Sequence, residues 1–336
     1  MTKSKKRKEK ERKYRIFYLL LLLLVTALSL SVSSYAWFTT NRLARVDLLD
    51  VNVRAQGGVE ISTDGINWKA AINVEDIVSA RDNYPTSLNQ IPKTLEPVST
   101  VGEVSNGLIN IFYGKVENNL NGDYILTSQK NVEEEGFDEN STGKFITFDL
   151  FFKTSESTRL YLTPESIITY GGDYSVGIEN AMRVAFVNEG NTFTGDSSAN
   201  IQSMMTNDSD DVYIWEPNYN KHTLSGVANA KNTYGLNIDE ESLSLSYDGV
   251  KSEISSSQGI KASNAKESIY PTLFEKVNIS YYTKTDFSEN IEVFSLNKGI
   301  TKIRVYMWIE GQDVDCENDA SVGNISLNLQ FSKNPA

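Results

Sequence analysis

The chain has 336 residues, of which 40% are hydrophobic and 23% charged, and its formal net charge is −12. The apolar fraction is too high for a disordered protein and too low for a polytopic membrane protein. The single Cys and single His exclude a disulfide framework, a zinc site built on several thiolates, and a multi-histidine metal site within one chain.

The charge is divided sharply along the chain. Residues 1–36 carry nine basic and two acidic side chains, all within the segment 1–15, for a net charge of +7; residues 37–336 therefore carry −19. An acidic body repels phosphate backbones, because nucleic-acid binding requires neutralisation by Lys and Arg. We therefore expect no nucleic-acid partner.

An uncharged apolar segment follows the basic one. The nineteen residues from Ile16 to Ser34 include a run of leucines and contain no charge. This length suits a helix that crosses a membrane, which needs about 20 apolar residues. Basic residues stay on the cytoplasmic side, so residues 1–15 are predicted to be cytoplasmic and residues 37–336 extracytoplasmic.

The segment 16–36 has two interpretations, and both stay open. In the first it is a signal peptide, because Ser34-Tyr35-Ala36 fits the small-x-small rule and cleavage would fall between Ala36 and Trp37. In the second it is a retained membrane anchor with an aromatic belt at the interface. In either case the N-terminal helix contacts the membrane, and the body is anchored at the cell surface or secreted.

The remaining residues read as β-structure, because apolar residues alternate with a period of two from Val46 onward. The pair Asp64-Gly65 predicts a tight hairpin. The alternation over Ile325–Phe331 predicts an antiparallel strand with one buried face and one solvent-exposed face. Helix is scarce, with one short candidate at Val74–Arg81. The fold predicted for 37–336 is one mainly β domain, an antiparallel, jelly-roll-like β-sandwich with long polar loops. The alternative is two packed sandwiches that divide near 190–235.

An acidic loop between two predicted strands is a candidate Ca²⁺ site. Its carboxylates are Glu310, Asp313, Asp315 and Asp319. Ca²⁺ takes six to eight oxygen ligands, which such a loop can offer. The loop lacks the Gly and Glu that an EF-hand places at its sixth and twelfth positions, so the alternative is a solvated connection rich in Asx turns.

No motif predicts catalysis. Cys316 and His222 form the one candidate thiol–imidazole pair, but they lie 94 positions apart and the Cys stands among acids that disfavour a thiolate. Residues 62–68 resemble a shortened sialidase-type Asp box, which is a turn device, and Trp68 could stack on a sugar or lie on a strand face. We predict that the protein is not an enzyme.

The residues around the apolar segment resemble a known family. A basic start, an apolar helix and then Tyr35-Ala36-Trp37-Phe38-Thr39 before a β-rich body is similar to the camelysin/TasA-like surface and matrix proteins of Gram-positive bacteria. The resemblance implies a jelly-roll body, export and, in some members, fibre assembly in biofilm matrix. Camelysins have been classed as metallopeptidases, but this chain offers no matching zinc motif.

The function predicted is therefore that of an exported structural or interaction protein at the cell surface or in the matrix. If cleavage occurs after Ala36, residues 37–54 would form a free, strand-prone arm that adds to the sheet edge of a neighbouring copy, so that contacts between copies propagate into fibres. The first alternative is a module that binds carbohydrate or another ligand through exposed aromatic residues. The second is a secreted hydrolase, which would need convergent acids with raised pKa values.

Overall fold

The structure is a computed structural model that describes residues 46–118, 124–130, 142–171, 177–234, 247–261, 270–316 and 324–334. The basic segment 1–15, the apolar segment 16–36 and the cleavage site at Ala36 and Trp37 lie outside the described residues. Within the described ranges, every helix is too short or too polar to span a bilayer.

The prediction of a mainly β chain is confirmed. The strands are β1 (Val46–Ala55), β2 (Glu60–Ser62), β3 (Ala71–Ile72), β4 (Thr94–Leu95), β5 (Val104–Ser105), β6 (Leu108–Ile109), β7 (Phe112–Asn118), β8 (Tyr124–Lys130), β9 (Thr142–Gly143), β10 (Ile146–Thr154), β11 (Thr158–Leu162), β12 (Ile167–Tyr170), β13 (Met182–Thr192), β14 (Val212–Pro217), β15 (Asp248–Val250), β16 (Phe274–Lys276), β17 (Tyr281–Thr283), β18 (Ile291–Leu296), β19 (Gly299–Ile309) and β20 (Asn324–Ser332). The helices are α1 (Val74–Ser79), α2 (Ser198–Ser203) and α3 (Leu224–Tyr234), and single 3₁₀ turns stand at Ala80–Asp82, Ile178–Asn180, Ser209–Asp211 and Ser256–Gln258.

The short helix predicted at Val74–Arg81 forms as α1 followed by a 3₁₀ turn. Its start is determined by a capping box, in which the Asn73 side chain accepts from the Asp76 backbone N–H and the Asp76 carboxylate accepts from the Asn73 N–H. These reciprocal bonds satisfy donors that a helix otherwise leaves unpaired at its N-terminus. Neither α2 nor α3 was predicted from the sequence.

A six-stranded sheet lies at the centre, in the order β17-β14-β13-β19-β10-β2. The long strands β13, β19 and β10 pair antiparallel along most of their length, whereas β17 joins β14 in parallel. Residues 190–235 contain the end of β13, all of β14 and both α2 and α3, and β13 and β14 are direct neighbours in this sheet.

An eight-stranded sheet contains the first and the last described strands. Its order is β18-β11-β20-β1-β4-β9, with β12 also pairing β20 and β3 also pairing β1. The prediction that Ile325–Phe331 is an antiparallel strand is wrong on one side, because β20 pairs β1 in parallel while it pairs β11 and β12 antiparallel. Alternation reports which face of a strand is buried and carries no information about the direction of its neighbours.

The alternation itself is confirmed on β20. Ile325, Leu327, Leu329 and Phe331 are fully buried. The opposite face is less exposed to solvent than predicted, because Ser326 and Asn328 are half-buried and Gln330 is buried. Glu165, in the turn between β11 and β12, lies against this face: its backbone carbonyl accepts from the Asn328 side chain at 2.6 Å and its carboxylate accepts from the Gln330 side chain at 3.3 Å.

One apolar cluster joins the two sheets. Phe331 of β20 packs edge-on against Phe152 of β10 at 5.2 Å and against Phe186 of β13 at 6.0 Å between ring centroids. Phe294 of β18 packs against the same rings. Each fully buried Phe contributes on the order of 1.5–3 kcal/mol through burial alone. The main core therefore lies between one face of each sheet.

The other face of the six-stranded sheet is buried as well. All eleven residues of β19 are buried, and Tyr306 and Trp308 pack there with Val98, Tyr247 and Val277 from the long connections. Segments outside the six strands of this sheet thus supply part of the cover for this face. Charged residues of β10, β13 and β19 that alternate with the core residues are consequently enclosed, and they form the site described next.

Candidate functional site

Two groups of buried polar residues lie on the covered face of the six-stranded sheet. The Arg183 cluster consists of Arg183, Glu216, His222, Glu310, Asp313 and Asp315. The Asp149 cluster consists of Tyr84, Asp149, Glu189, Lys302 and Arg304.

Strand register brings the members of the Arg183 cluster together. Val184 pairs with Trp215, so the next position places Arg183 of β13 beside Glu216 of β14. Arg183 also pairs with Trp308 of β19, two residues before Glu310. The turn that follows β19 folds back toward Arg183 and brings the carboxylates of Asp313 and Asp315 into the cluster.

Arg183 is fully buried and its guanidinium is held from several sides. Nη2 lies 2.9 Å from Glu216 Oε1 and 2.6 Å from Asp313 Oδ2. Nη1 donates to the backbone carbonyls of Asn180 and Met182, and the guanidinium lies 5.1 Å from the centroid of the Tyr247 ring. Such a charge is stable in the interior only because it is paired and hydrogen-bonded.

The carboxylates after β19 accept hydrogen bonds from the protein itself. Glu310 accepts from the Trp308 indole N–H at 3.1 Å and from the Gln312 backbone N–H at 3.0 Å. Asp313 accepts from the Asp315 N–H at 2.8 Å, which is an Asx turn. Residues 311–316 are buried throughout, so the alternative of a solvated connection is wrong about its exposure.

Asp315 connects this turn to the segment before α3. Its carboxylate contacts His222 Nδ1 at 2.8 Å and accepts from the backbone N–H of Thr223 at 2.7 Å and from the Thr223 hydroxyl at 2.8 Å. The carboxylate thus lies at the N-terminus of α3, where negative charge is favoured by the helix dipole.

Three of the four predicted Ca²⁺ ligands, Glu310, Asp313 and Asp315, therefore lie in this cluster, while Asp319 lies outside the described residues. The three carboxylates are turned toward protein donors. Within the described part of the chain, no group of three or more His, Cys, Asp or Glu side chains is arranged to hold a metal ion. The Ca²⁺ site stays a prediction.

Burial raises the pKa values of several of these carboxyls. Burial raises the pKa of Glu310 to about 7, against the opposing effect of the hydrogen bond from Trp308. Burial likewise raises the pKa of Glu216 to about 7 and outweighs the attraction of Arg183. The pKa of Asp315 is also raised by burial. The cluster therefore binds protons near neutral pH.

In the Asp149 cluster the pKa of the central carboxyl is lowered, whereas the pKa values of Glu216 and Glu310 in the Arg183 cluster are raised. The Asp149 carboxylate contacts Arg304 Nε at 2.7 Å and Lys302 Nζ at 3.3 Å, and accepts from the Tyr84 hydroxyl at 2.8 Å. Burial alone would raise the pKa of Asp149, but Arg304 and Lys302 outweigh it and lower the pKa to about 2. This aspartate is therefore ionised over the whole physiological range.

The Asp149 cluster also fixes the covering segments. Lys302 Nζ donates to the backbone carbonyls of Gln202 and Met204, at the end of α2 and just after it. Glu189 accepts from the Thr206 N–H at 2.7 Å. The cluster joins α2 and its following loop to the sheet, and its geometry supports a structural role.

The sequence did not predict most of these residues. His222 was considered only with Cys316, but the structure places it on Asp315, while Cys316 is buried in the main core. The signal that could have found the others is a charge inside an otherwise apolar strand. Arg183, Asp149, Lys302 and Arg304 all interrupt such strands.

The tryptophans bear on the carbohydrate-binding alternative. Trp215 and Trp308 are completely buried. Trp68 is half-buried, and Lys153 Nζ lies 4.4 Å from its ring centroid. Trp215 and Trp308 are therefore core residues with no surface to offer a sugar, and the Lys153 ammonium group lies over the ring of Trp68, the tryptophan considered for sugar stacking.

A turn forms at Asp64-Gly65, but the tight hairpin predicted there does not: the chain pairs across it only in a single bridge between Ile61 and Lys69, with seven residues between them. One carboxylate oxygen of Asp64 accepts from the backbone N–H groups of Ile66 and Asn67, and Gly65 takes a φ of +71°. Burial would raise the pKa of Asp64, but these backbone bonds lower it overall. The Asp-box-like segment thus acts as a turn device.

Comparisons of the chain with protein-family models, with curated proteins and with solved structures gave no match. The similarity to the camelysin/TasA-like group therefore rests on residues 35–39, which lie outside the described residues.

Proposed function

We propose that this chain is an exported structural protein of the cell surface or extracellular matrix, and that its copies assemble by exchanging strand β1. In this proposal the two large sheets form a jelly-roll-like sandwich around the shared core. The clusters on the covered face keep the sandwich rigid and perform no catalysis.

The observation that carries the proposal is the position of β1. Residues Asp47–Ala55 pair in parallel with Asn324–Phe331 of β20, and Val51 and Val53 are fully buried in the main core. The first described strand thus lies inside its sheet, with β20 on one edge and the short strands β3 and β4 on the other. Removal of β1 would leave the edges of β20, β3 and β4 unpaired and would expose the apolar face of β20, so this position in the sheet must be occupied by β1 or by the same strand of another copy.

The arm considered from the sequence, residues 37–54, is consequently not free along its whole length, because residues 46–54 occupy the chain's own sheet. We therefore propose that copies assemble by exchanging β1, a strand that is already part of the sheet, and not by adding a free arm to an open sheet edge. Exchange re-forms the same contacts between two copies and costs little beyond the hinge and the loss of freedom on association.

A hinge suited to exchange follows β1 directly. Gly57 and Gly58 have φ angles of +74° and +81°, and they join β1 in one sheet to β2 in the other. Glycine adopts both signs of φ without steric cost, so this joint can redirect β1 toward another copy. A strand donated from each copy to the next is a head-to-tail contact, which propagates as a filament unless it closes.

A cysteine pair tests the exchange. Asn52 and Asn328 are register partners on β1 and β20 and are both partly accessible. We expect the Asn52→Cys, Asn328→Cys chain, made in a Cys316→Ala background, to oxidise into a ladder of covalent multimers when assembled. Non-reducing electrophoresis after detergent extraction provides the measurement, and electron microscopy verifies fibres.

The matched control is Arg54→Cys with Asn328→Cys, which offsets the pair by two residues or about 6.6 Å along the strand. A disulfide cannot bridge that offset. Fibres whose cysteine pair closes only within single chains would refute strand exchange. Absence of any assembly at high concentration would refute the assembly function itself.

A further inference from the structure

The joint between β1 and β2 lies between two buried anchors. Ala55 and Val59 are 7% and 4% exposed and belong to the main core, whereas residues 56–58 between them are exposed. The first of these still continues the pairing of β1, because the Gln56 N–H donates to the Phe331 carbonyl oxygen at 2.9 Å. A departure of β1 from its sheet therefore has to bend the chain at the two glycines of the hinge.

The side chain of Lys333 lies over this hinge. A Cβ built on Gly57 would lie 2.8 Å from Lys333 Cγ, 3.6 Å from Cδ and 3.5 Å from Cε, so three carbons of the lysine stem lie close to the glycine. A Cβ built on Gly58 would meet no atom of the described residues within 4 Å, its chain neighbours aside. The lysine therefore covers the first glycine of the hinge.

Contacts after β20 hold the lysine in this position. Lys333 follows Ser332, which is 5% exposed, and its Nζ lies 3.4 Å from Glu156 Oε1 in the turn between β10 and β11. The Asn334 N–H donates to the Ser332 hydroxyl oxygen at 3.1 Å, and the Asn334 carbonyl accepts from the Asn290 side chain at 2.9 Å. The backbone on both sides of the lysine is thus held, which keeps its stem against the hinge.

We propose that Lys333 is a clasp on the hinge: its aliphatic stem packs over Gly57 and keeps β1 in the sheet of its own chain. Departure of β1 separates Gly57 from the stem, because the hinge turns while Lys333 stays with β20. The methylene groups of the stem then regain contact with water, which opposes the departure. The clasp sets how readily β1 is exchanged, and in this respect it rests on the strand exchange proposed above.

The stem of the lysine, and not its charge, supplies most of this effect. The side chains of Lys333 and Glu156 are 31% and 69% exposed. An ion pair this exposed contributes little to stability, because water screens both charges. Burial of the apolar stem stabilises independently of the ammonium group. We therefore expect different outcomes for a variant that removes the stem and for one that removes only the charge.

Hydrogen–deuterium exchange of the full-length chain in detergent measures how often β1 opens. We expect Lys333→Ala to lower amide protection in residues 46–55 by about fivefold, since it removes the methylene groups that contact the hinge. The strands β10 and β19 should keep their protection. Lys333→Met keeps a stem without the charge and should behave like the unmodified chain. Lys298→Ala is the matched control, because it removes an exposed lysine from the turn between β18 and β19, and it should leave β1 unchanged.

Three results of this experiment would overturn the clasp. The first is unchanged protection of β1 in Lys333→Ala. The second is an equally large loss in Lys333→Met, which would assign the effect to the ion pair with Glu156. The third is an equal loss in β1, β10 and β19, which would indicate general destabilisation of the chain.

A pair of glycine variants tests the contact itself. Gly57→Ala and Gly58→Ala place an alanine at φ angles of +74° and +81°, so both introduce the same kind of backbone strain. Of the two added methyl groups, only the one at position 57 would meet Lys333. We expect Gly57→Ala to lower the protection of β1 more than Gly58→Ala does, and this difference should vanish in a Lys333→Ala background. A difference that persists in that background would contradict the clasp.

The cysteine pair Asn52→Cys, Asn328→Cys separates the clasp from the exchange that it controls. If Lys333→Ala lowers the protection of β1 and covalent multimers form faster, both proposals are supported. If the protection falls and no multimers form, the clasp stands and strand exchange is refuted. If the protection is unchanged and multimers form equally fast with and without the lysine stem, strand exchange stands and the clasp is refuted.

Discussion

At the scale of single residues, the best-defined feature is the way buried charges are compensated. Asp149 is surrounded by Arg304, Lys302 and the Tyr84 hydroxyl, and its carboxylate has no exposed surface. Both cations have their shortest ion-pair contact with this one anion, and Glu189 lies farther from Arg304, at 3.5 Å. Removal of Asp149 therefore leaves Lys302 buried without a paired carboxylate and Arg304 with only the longer contact, which is more damaging than loss of a surface pair.

We expect Asp149→Ala to lower the free energy of unfolding by about 3–5 kcal/mol, because Lys302 loses its paired carboxylate in the interior and Arg304 keeps only the longer contact with Glu189. Urea denaturation followed by tryptophan fluorescence measures the change. Glu292→Ala is the control: it breaks the exposed pair with Arg159 and should cost less than about 1 kcal/mol. Similar losses in the two variants would contradict the interpretation.

At the scale of elements, β20 shows how far a sequence pattern can be interpreted. Its alternating apolar residues predicted a strand with one buried face, and the strand is present with that face in the core. Whether β20 pairs in parallel or antiparallel, and how far its outer face is buried, depends on β1, β11, β12 and the turns beside them, which come from distant parts of the chain. No local pattern contains that information.

The aromatic contact between the sheets gives a second expected outcome. Phe331→Ala should lower the free energy of unfolding by about 3–5 kcal/mol, since it removes the ring that contacts Phe152, Phe186 and Phe294 and leaves a cavity. Chemical denaturation measures it. Phe193→Ala is the matched control, because Phe193 is 66% exposed and its loss should change stability by less than about 0.5 kcal/mol. A small effect at position 331 would mean that the two sheets do not share this core.

At the scale of the whole molecule, the two clusters predict the shape of the pH–stability curve. The pKa of Asp149 is lowered to about 2, so its contribution is present above the ordinary pKa of Asp and is lost as the pH falls through 2. The pKa values of Glu216 and Glu310 are raised to about 7, so their ionisation removes stability as the pH rises from about 4.5 toward 7.

We therefore expect the free energy of unfolding of the full-length chain to be greatest near about pH 5 and to decrease toward about pH 8. Urea titrations at a series of pH values provide the curve. Glu216→Gln should flatten its alkaline side, whereas Glu292→Gln should not. A stability that increases steadily from about pH 5 to about pH 8 would contradict the pKa assignments.

The sequence by itself determined the β class, the turn at Asp64-Gly65, the short helix α1 and the buried face of β20. These features follow from the local period of apolar residues and from the conformational preferences of Gly, Asn and Asp, which act within a few positions. The tertiary structure alone decided the parallel pairing of β1 with β20, the burial of both faces of the central sheet and the meeting of Arg183, Glu216 and the 310–316 turn. Their physical cause is strand register and the packing of distant segments, and 44 acidic residues offer far too many pairings for composition or spacing to select one.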